Sequence, residues 1–152
     1  MIRRATKADI PALTFMGRKF FEESGFGAEM VFDEESLRKT LEHLLDSDDG
    51  VVFIAIGANG RPIGGAGAMA YPYYFNLACR AGQELFWWID PEIRGGLVGI
   101  RLLHALEAWA KERGCRTFTM ISLPAIGDSP AARIYPRMGY RPSEHSFIKR
   151  VN

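Results

Sequence analysis

Only two cysteines occur in 152 residues, Cys79 and Cys115, and they lie too far apart in sequence for a paired metal motif. That scarcity argues against a disulfide framework and fits a reducing compartment, the cytoplasm. His43, His104 and His145 share no ligand spacing with one another or with the cysteines, so no metal centre is expected. An excess of one charge is missing as well: 19 basic against 18 acidic residues leave +1, which gives no footprint for nucleic acid or an anionic membrane. Long apolar runs are also lacking. Residues 62–79 carry no charge, but Pro62, Pro72, Asn76 and three glycines interrupt them, so they read as strand plus loop. Near the start, Arg3, Arg4, Lys7 and Asp9 precede an amphipathic pattern where a leader peptide has an apolar block.

What remains is an ordinary globular composition, 47% hydrophobic and 24% charged. With no repeat, low-complexity stretch or linker, residues 1–152 read as a single domain large enough to bury its own core. Residues 2–5 suggest a short opening strand, and Thr6 to Asp9 has the form of a capping box. A loosely helical stripe of Ile10, Leu13, Phe20 and Phe21 follows and fades at Ser24-Gly25. A second helix fits residues 33–45, with Leu37, Leu41, Leu44 and Leu45 on one face and Asp33, Glu34 and Glu35 in its first turn. Residues 51–56 form a continuous apolar run suited to a central strand, and Asn59-Gly60 supplies a tight turn into a return strand over 63–70. Residues 71–75 read as an aromatic loop, and residues 83–90 as the third strand of the meander, stopped by Asp90-Pro91.

The densest information lies between Gln83 and Gly114, where a strand, a basic glycine turn and an amphipathic helix follow in succession. Arg94, Gly95, Gly96, Leu97, Val98 and Gly99 occupy the start of that helix, whose stripe is Leu102, Ala105, Leu106 and Trp109. Helix-start N–H groups have no internal partner and lie at the positive end of the dipole, so this turn suits a pyrophosphate; it equally suits a plain strand-to-helix joint. A strand over 117–123, a short helix over 130–138 and terminal strand material over 140–151 complete an α/β order: a mixed, mostly antiparallel central sheet flanked by about four helices.

Two segments together resemble the GNAT superfamily of acetyl-CoA-dependent N-acetyltransferases. IDPEIRGGLVGIRLL is similar to its pyrophosphate turn, Arg/Gln-x-x-Gly-x-Gly/Ala: Arg94 and Gly99 match, and Leu97 stands where the first glycine is usual. DSPAARIYPRMGYRP is similar to its Asn-x-x-Ala-x-x-x-Tyr run: Ala131, Tyr135, Gly139 and Tyr140 match, and Asp128 replaces the asparagine. The resemblance implies a GNAT-like sheet and acetyl-CoA as the acetyl donor, with no metal. It also implies that the acetyl group goes by direct attack, in a ternary complex, to a primary amine on a small molecule or peptide.

By the same resemblance Tyr135 is the general acid for the departing thiolate, with a helix aromatic packed on the sheet as the alternative. Glu84 is the base that takes the ammonium proton, or else an exposed strand carboxylate. If Glu84 faces the cleft, uninterrupted alternation sends Phe86 and Trp88 the same way, unless the strand carries the bulge frequent in the family. Backbone groups of Trp88 and Ile89 hold the pantetheine, and residues 94–99 the pyrophosphate. The aromatics Tyr71, Tyr73, Tyr74 and Phe75 are open between an acceptor wall (Tyr73 and Tyr74 above all), core, and a homodimer surface. Glu22, Glu23, Glu29 and Asp33 either attract a cationic amine or form a solvated face. A non-catalytic acyl-CoA-binding or protein-interaction domain on the same fold is the rival reading. A P-loop is disfavoured, because the glycines are not followed by its lysine.

Overall fold

The computed structural model describes residues 1–123 and 130–151. Its elements run β1 (Ile2–Arg4), α1 (Ile10–Ser24), α2 (Glu34–Asp46), β2 (Gly50–Ile56), β3 (Pro62–Tyr73), β4 (Asn76–Ile89), α3 (Leu97–Glu112), β5 (Cys115–Thr119) and α4 (Pro130–Arg137). The strands lie in sequence order in one sheet, antiparallel except for the last pair, β4 with β5, which is parallel and bridged by α3. Among the described residues the chain therefore forms the expected mixed sheet with four α-helices.

Local signals explain the element ends. Ahead of α1, the Asp9 carboxylate accepts from the Thr6 N–H at 2.8 Å, the reciprocal half of the expected capping box. Asp33 caps α2 by accepting from the Ser36 N–H at 2.6 Å. In the β2–β3 turn, Asn59 Oδ1 accepts from the Arg61 N–H at 3.0 Å.

Period-two alternation in β2 splits the core into two layers. Phe53 faces α3 with Ala66, Ala68, Leu102, Leu106 and Trp109, while Val52 and Ile54 face α1 and α2 with Leu13, Met16, Leu41 and Leu44. The small residues of β3 let neighbours approach closely. A Cβ on Gly67 would lie 2.3 Å from the Phe86 ring, so any side chain there would have to displace that ring.

Three expectations are corrected. Residues 71–75 are mostly not a loop: β3 runs through to Tyr73 and β4 already begins at Asn76, which leaves only Tyr74 and Phe75 as the turn. Pro72 is tolerated because β2 ends opposite Met69, so the missing N–H faces no partner strand there. Strand β5 stops at Thr119, short of the expected residue 123, where its pairing with β4 also stops. Finally, residues 140–151 hold no strand. Pro142 removes a donor near their start, and Phe147, Ile148 and Val151 stay exposed, so little burial offsets the entropy of ordering them. Asp128 lies outside the described residues.

Candidate active site

Strand β5 accompanies β4 only as far as the Gln83–Thr119 pair, so residues 84–89 of β4 have no strand on that side among the described residues. At the start of this open edge the β3–β4 register slips. Gly67 pairs with Phe86 and Ala68 with Glu84, leaving Leu85 as the extra residue of a bulge. Glu84 therefore lies across from Ala68 on the α3 side, which it shares with Trp87 and Ile89, while Phe86 and Trp88 face α1 and α2. Uninterrupted alternation would have put Glu84 with Phe86 and Trp88; the bulge reverses it.

Glu84 is buried, 4% exposed, and its Oε2 accepts from the Ile121 N–H at 3.0 Å. Burial raises its pKa to about 7, outweighing that hydrogen bond, which favours the ionised form. Tyr135, on α4, donates its hydroxyl to the Ile121 carbonyl at 3.0 Å. One residue beyond the end of β5 thus ties the carboxylate of β4 to the phenol of α4. Burial first, and the negative charge of Glu84 second, hold the Tyr135 phenol well above its usual range, so it stays protonated near neutrality. Its ring lies 6.1 Å from that of Trp87 and 5.7 Å from that of Tyr140. Tyr140, just beyond α4, in turn donates to Glu107 of α3 at 2.7 Å, which ties the segment following α4 to α3. Neither Ile121 nor Glu107 is legible as a site residue in the sequence, because Ile121 acts through its backbone and Glu107 through a contact 33 residues away.

At the glycine turn, two different constraints select glycine. Gly95 has φ 88° with open space around it, so conformation is what excludes a side chain. Gly99 lies in the first turn of α3, where a Cβ would sit 3.0 Å from Trp87 Cζ2, so a side chain there requires the indole ring to give by a few tenths of an ångström. Gly96 caps α3 with extended backbone, and Leu97, the departure from the motif, is 63% exposed. Leu97, Val98 and Gly99 thereby present first-turn N–H groups, which have no acceptor within the helix.

The side chain of Arg94 folds back from this turn. Its Nε donates to the Ile89 carbonyl at 2.9 Å and its Nη2 to Glu23 Oε2 at 2.6 Å. Trp88 Nε1 donates to the other oxygen of Glu23 at 3.3 Å. The Ile89 carbonyl points to the open edge of β4, since the Asp90 N–H of the same trans peptide bonds to the Ile63 carbonyl on β3 at 3.0 Å. By the same alternation the backbone groups of Trp88 point towards β3.

The aromatics lie elsewhere. Tyr73 hydrogen-bonds through its hydroxyl to Thr117 of β5, and Tyr71 donates to Gln83 at 3.1 Å. Tyr74 and Phe75 lie against each other on the exposed hairpin tip, with ring centroids 4.1 Å apart and planes tilted by 41°. Tyr73 is five positions along β3 from Ala68, the partner of Glu84. That is roughly 16 Å of strand, so the fold does not bring Tyr73 and Tyr74 to the Glu84–Tyr135 pair. Among the described residues no cluster of three or more His, Cys, Asp or Glu is arranged to hold a metal, and no helix is long and apolar enough to cross a membrane.

A sheet opened between parallel strands, with a glycine turn at one end and a buried acid–phenol pair at the other, is the arrangement expected from the resemblance of the two motif segments to acetyltransferases. Residues 18–140 match the family model of the acetyltransferase (GNAT) family, and the chain belongs to that family. It is similar to an aminoglycoside N(6')-acetyltransferase type 1 of Stenotrophomonas maltophilia, with 27% identity over 99% of this chain and 92% of the relative. A second aminoglycoside N(6')-acetyltransferase type 1, from Klebsiella aerogenes, is 36% identical over 44% of this chain and 45% of its own length. Among solved structures, AAC(6')-Iy in complex with a bisubstrate analogue, CoA-S-monomethyl-acetylneamine, superposes with a TM-score of 0.79 at 19% identity over 100% of this chain and 97% of the other. A protein of Clostridium acetobutylicum described as a predicted acetyltransferase, with acetyl-CoA, gives 0.78 at 22% identity over 98% of this chain and 94% of the other.

Proposed function

We propose that this chain transfers an acetyl group from acetyl-CoA to a primary amine by direct attack, with both substrates bound at the open edge of β4. The observation that carries this reading is the Glu84–Ile121–Tyr135 connection at that edge: a carboxyl with a pKa of about 7 and a protonated phenol on one residue's backbone. The amine nitrogen attacks the thioester carbonyl and the C–S bond breaks. Glu84 takes the ammonium proton, and the thiolate receives one from the Tyr135 hydroxyl, which must turn from the Ile121 carbonyl to give it. A base titrating near neutrality suits an acceptor that arrives as a cation.

The residues also fit the donor. The outward Ile89 carbonyl can accept from pantetheine amides, and the first-turn N–H groups of α3 can meet phosphate oxygens. Trp87 Nε1 is buried with no hydrogen-bond partner among the described residues, a donor available beside Gly99 and Tyr135. The aminoglycoside relatives make the amine of an amino sugar the first acceptor class to test. The assay is thiol release from acetyl-CoA with a panel of aminoglycosides, amino acids and peptides, alongside CoA titration by thermal shift. At a hundred times its dissociation constant, CoA should add about 2.7 kcal/mol of stability. CoA binding without turnover on any amine would favour the rival, a non-catalytic acyl-CoA-binding domain; no binding at all would remove both readings.

A further inference from the structure

Arg94 is the motif residue expected to meet a phosphate, yet its guanidinium is committed at two corners, and both commitments oppose that role. Its Nε occupies the Ile89 carbonyl, the outward acceptor on the open edge, and its Nη2 is paired with Glu23 at the end of α1. With side-chain exposures of 37% for Arg94 and 29% for Glu23, the ion pair is partly exposed, so its strength is modest and a ligand can compete for the guanidinium. On the other side of the arginine, Gly95 and Gly96 give the backbone the freedom to let it swing. Glu23 is held independently of Arg94, since its second oxygen accepts from Trp88 Nε1.

We infer that Arg94 and Glu23 form a latch across the donor end of the site, closed when the site is empty and opened by the incoming acyl-CoA. The inference rests on the acyl-CoA reading above and adds a regulatory element to it. To accept a pantetheine donor the Ile89 carbonyl must lose Nε, and to meet a phosphate the guanidinium must leave Glu23 or share it. The ligand therefore binds a conformation that the free protein populates only in part, and its apparent affinity falls by that fraction. Opening leaves Glu23 as an unpaired carboxylate at the C-terminal end of α1, so donor binding is communicated to a helix that does not carry the glycine turn. Both are positioning residues; neither is required to touch the reacting atoms.

The test is calorimetric titration of the intact protein and its variants with coenzyme A. Glu23→Gln keeps an oxygen for Trp88 Nε1 and removes the charge, so CoA should bind roughly two- to tenfold more tightly, the range expected for one partly exposed ion pair. Glu23→Asp, which withdraws the carboxylate by one methylene, should shift affinity in the same direction. In an Arg94→Gln background the Glu23→Gln change should alter affinity by less than about 1.5-fold, since the latch is already gone. Unchanged or weaker CoA binding by Glu23→Gln, from a parent that binds CoA, overturns the latch; weaker binding would mean that Glu23 presents Arg94 to the phosphate. A parent that does not bind CoA overturns the acyl-CoA reading and the latch together.

Discussion

Glu84→Gln is the substitution with the most specific signature, because it separates a buried base from a structural carboxylate on two axes at once. The glutamine carbonyl can still accept from the Ile121 N–H, so geometry is conserved and only the titration is removed. In the unfolded chain Glu84 titrates at its ordinary 4.5, and in the fold at about 7. Between those values the folded state binds the proton more tightly, so Glu84 favours folding at low pH and progressively loses that contribution as pH rises through 7. At 1.36 kcal/mol per pKa unit, the ionised carboxylate costs the parent about 3 kcal/mol above pH 8. The glutamine variant is spared that cost. Its melting temperature should exceed the parent's by roughly 6–12 °C at pH 8–9, and the two curves should converge towards pH 4–5. In thiol-release assays the parent's turnover should rise through pH 7, while the variant's should be low and lack that limb. Its deficit should shrink as pH approaches the acceptor's own pKa, since a neutral amine needs no base. A melting gap independent of pH would falsify the buried-acid assignment, and a normal gap with parental turnover would remove Glu84 from the chemistry.

Two further substitutions probe the rest of the site. Tyr135→Phe deletes the hydroxyl bonded to the Ile121 carbonyl, which should cost about 1 kcal/mol of stability by denaturant titration. If the phenol protonates the thiolate, turnover should fall roughly 10²–10⁴-fold at similar CoA affinity, and less with donors whose thiolate is a weaker base. A uniform two- or threefold loss would leave Tyr135 as packing between Trp87 and Tyr140. Gly99→Glu drives a side chain into the Trp87 ring beside the first-turn N–H groups, so it should lower the melting temperature and abolish the CoA-induced shift; a retained shift would move the phosphate site away from this turn.

Most elements could be read from the sequence because the signals that specify them are local. The Leu37–Leu41–Leu44 stripe, the Asp33 cap and the Asn59-Gly60 turn each act within a few residues, and each produced the element expected of it. The errors fall where the deciding partner is distant. Pro72 looked like a strand breaker, and only the end of β2 opposite Met69 shows why it is not. The 140–151 segment has apolar residues suited to a strand but no neighbour that takes them. At the site, Glu84, Tyr135 and the glycine turn were visible as residue types at motif spacing. The acid partner of Arg94 was not, because Glu23 lies 71 residues away and nothing near it in sequence distinguishes it from Glu22. The exposed tip at Tyr74 and Phe75 shows the converse case: aromatic character suggested a pocket wall, and strand length carried it away from the pocket.

The bulge at Leu85 makes β4 a strand with two phases. On its N-terminal side one parity of residue number addresses α3, and on its C-terminal side the other parity does. Trp87 and Trp88, adjacent and chemically alike, are thereby assigned to different layers, one beside the α3 glycine turn and the other beside Glu23. Because Leu85 and Phe86 both face α1 and α2, the strand takes up one extra residue without moving Glu84 or the tryptophans from their layers. Drawing Leu85 into a regular ladder without removing it would send either Glu84 or the two tryptophans to the wrong layer. In this strand a single residue without a ladder partner works as a frame marker, and the chemistry depends on the register as much as on the letters.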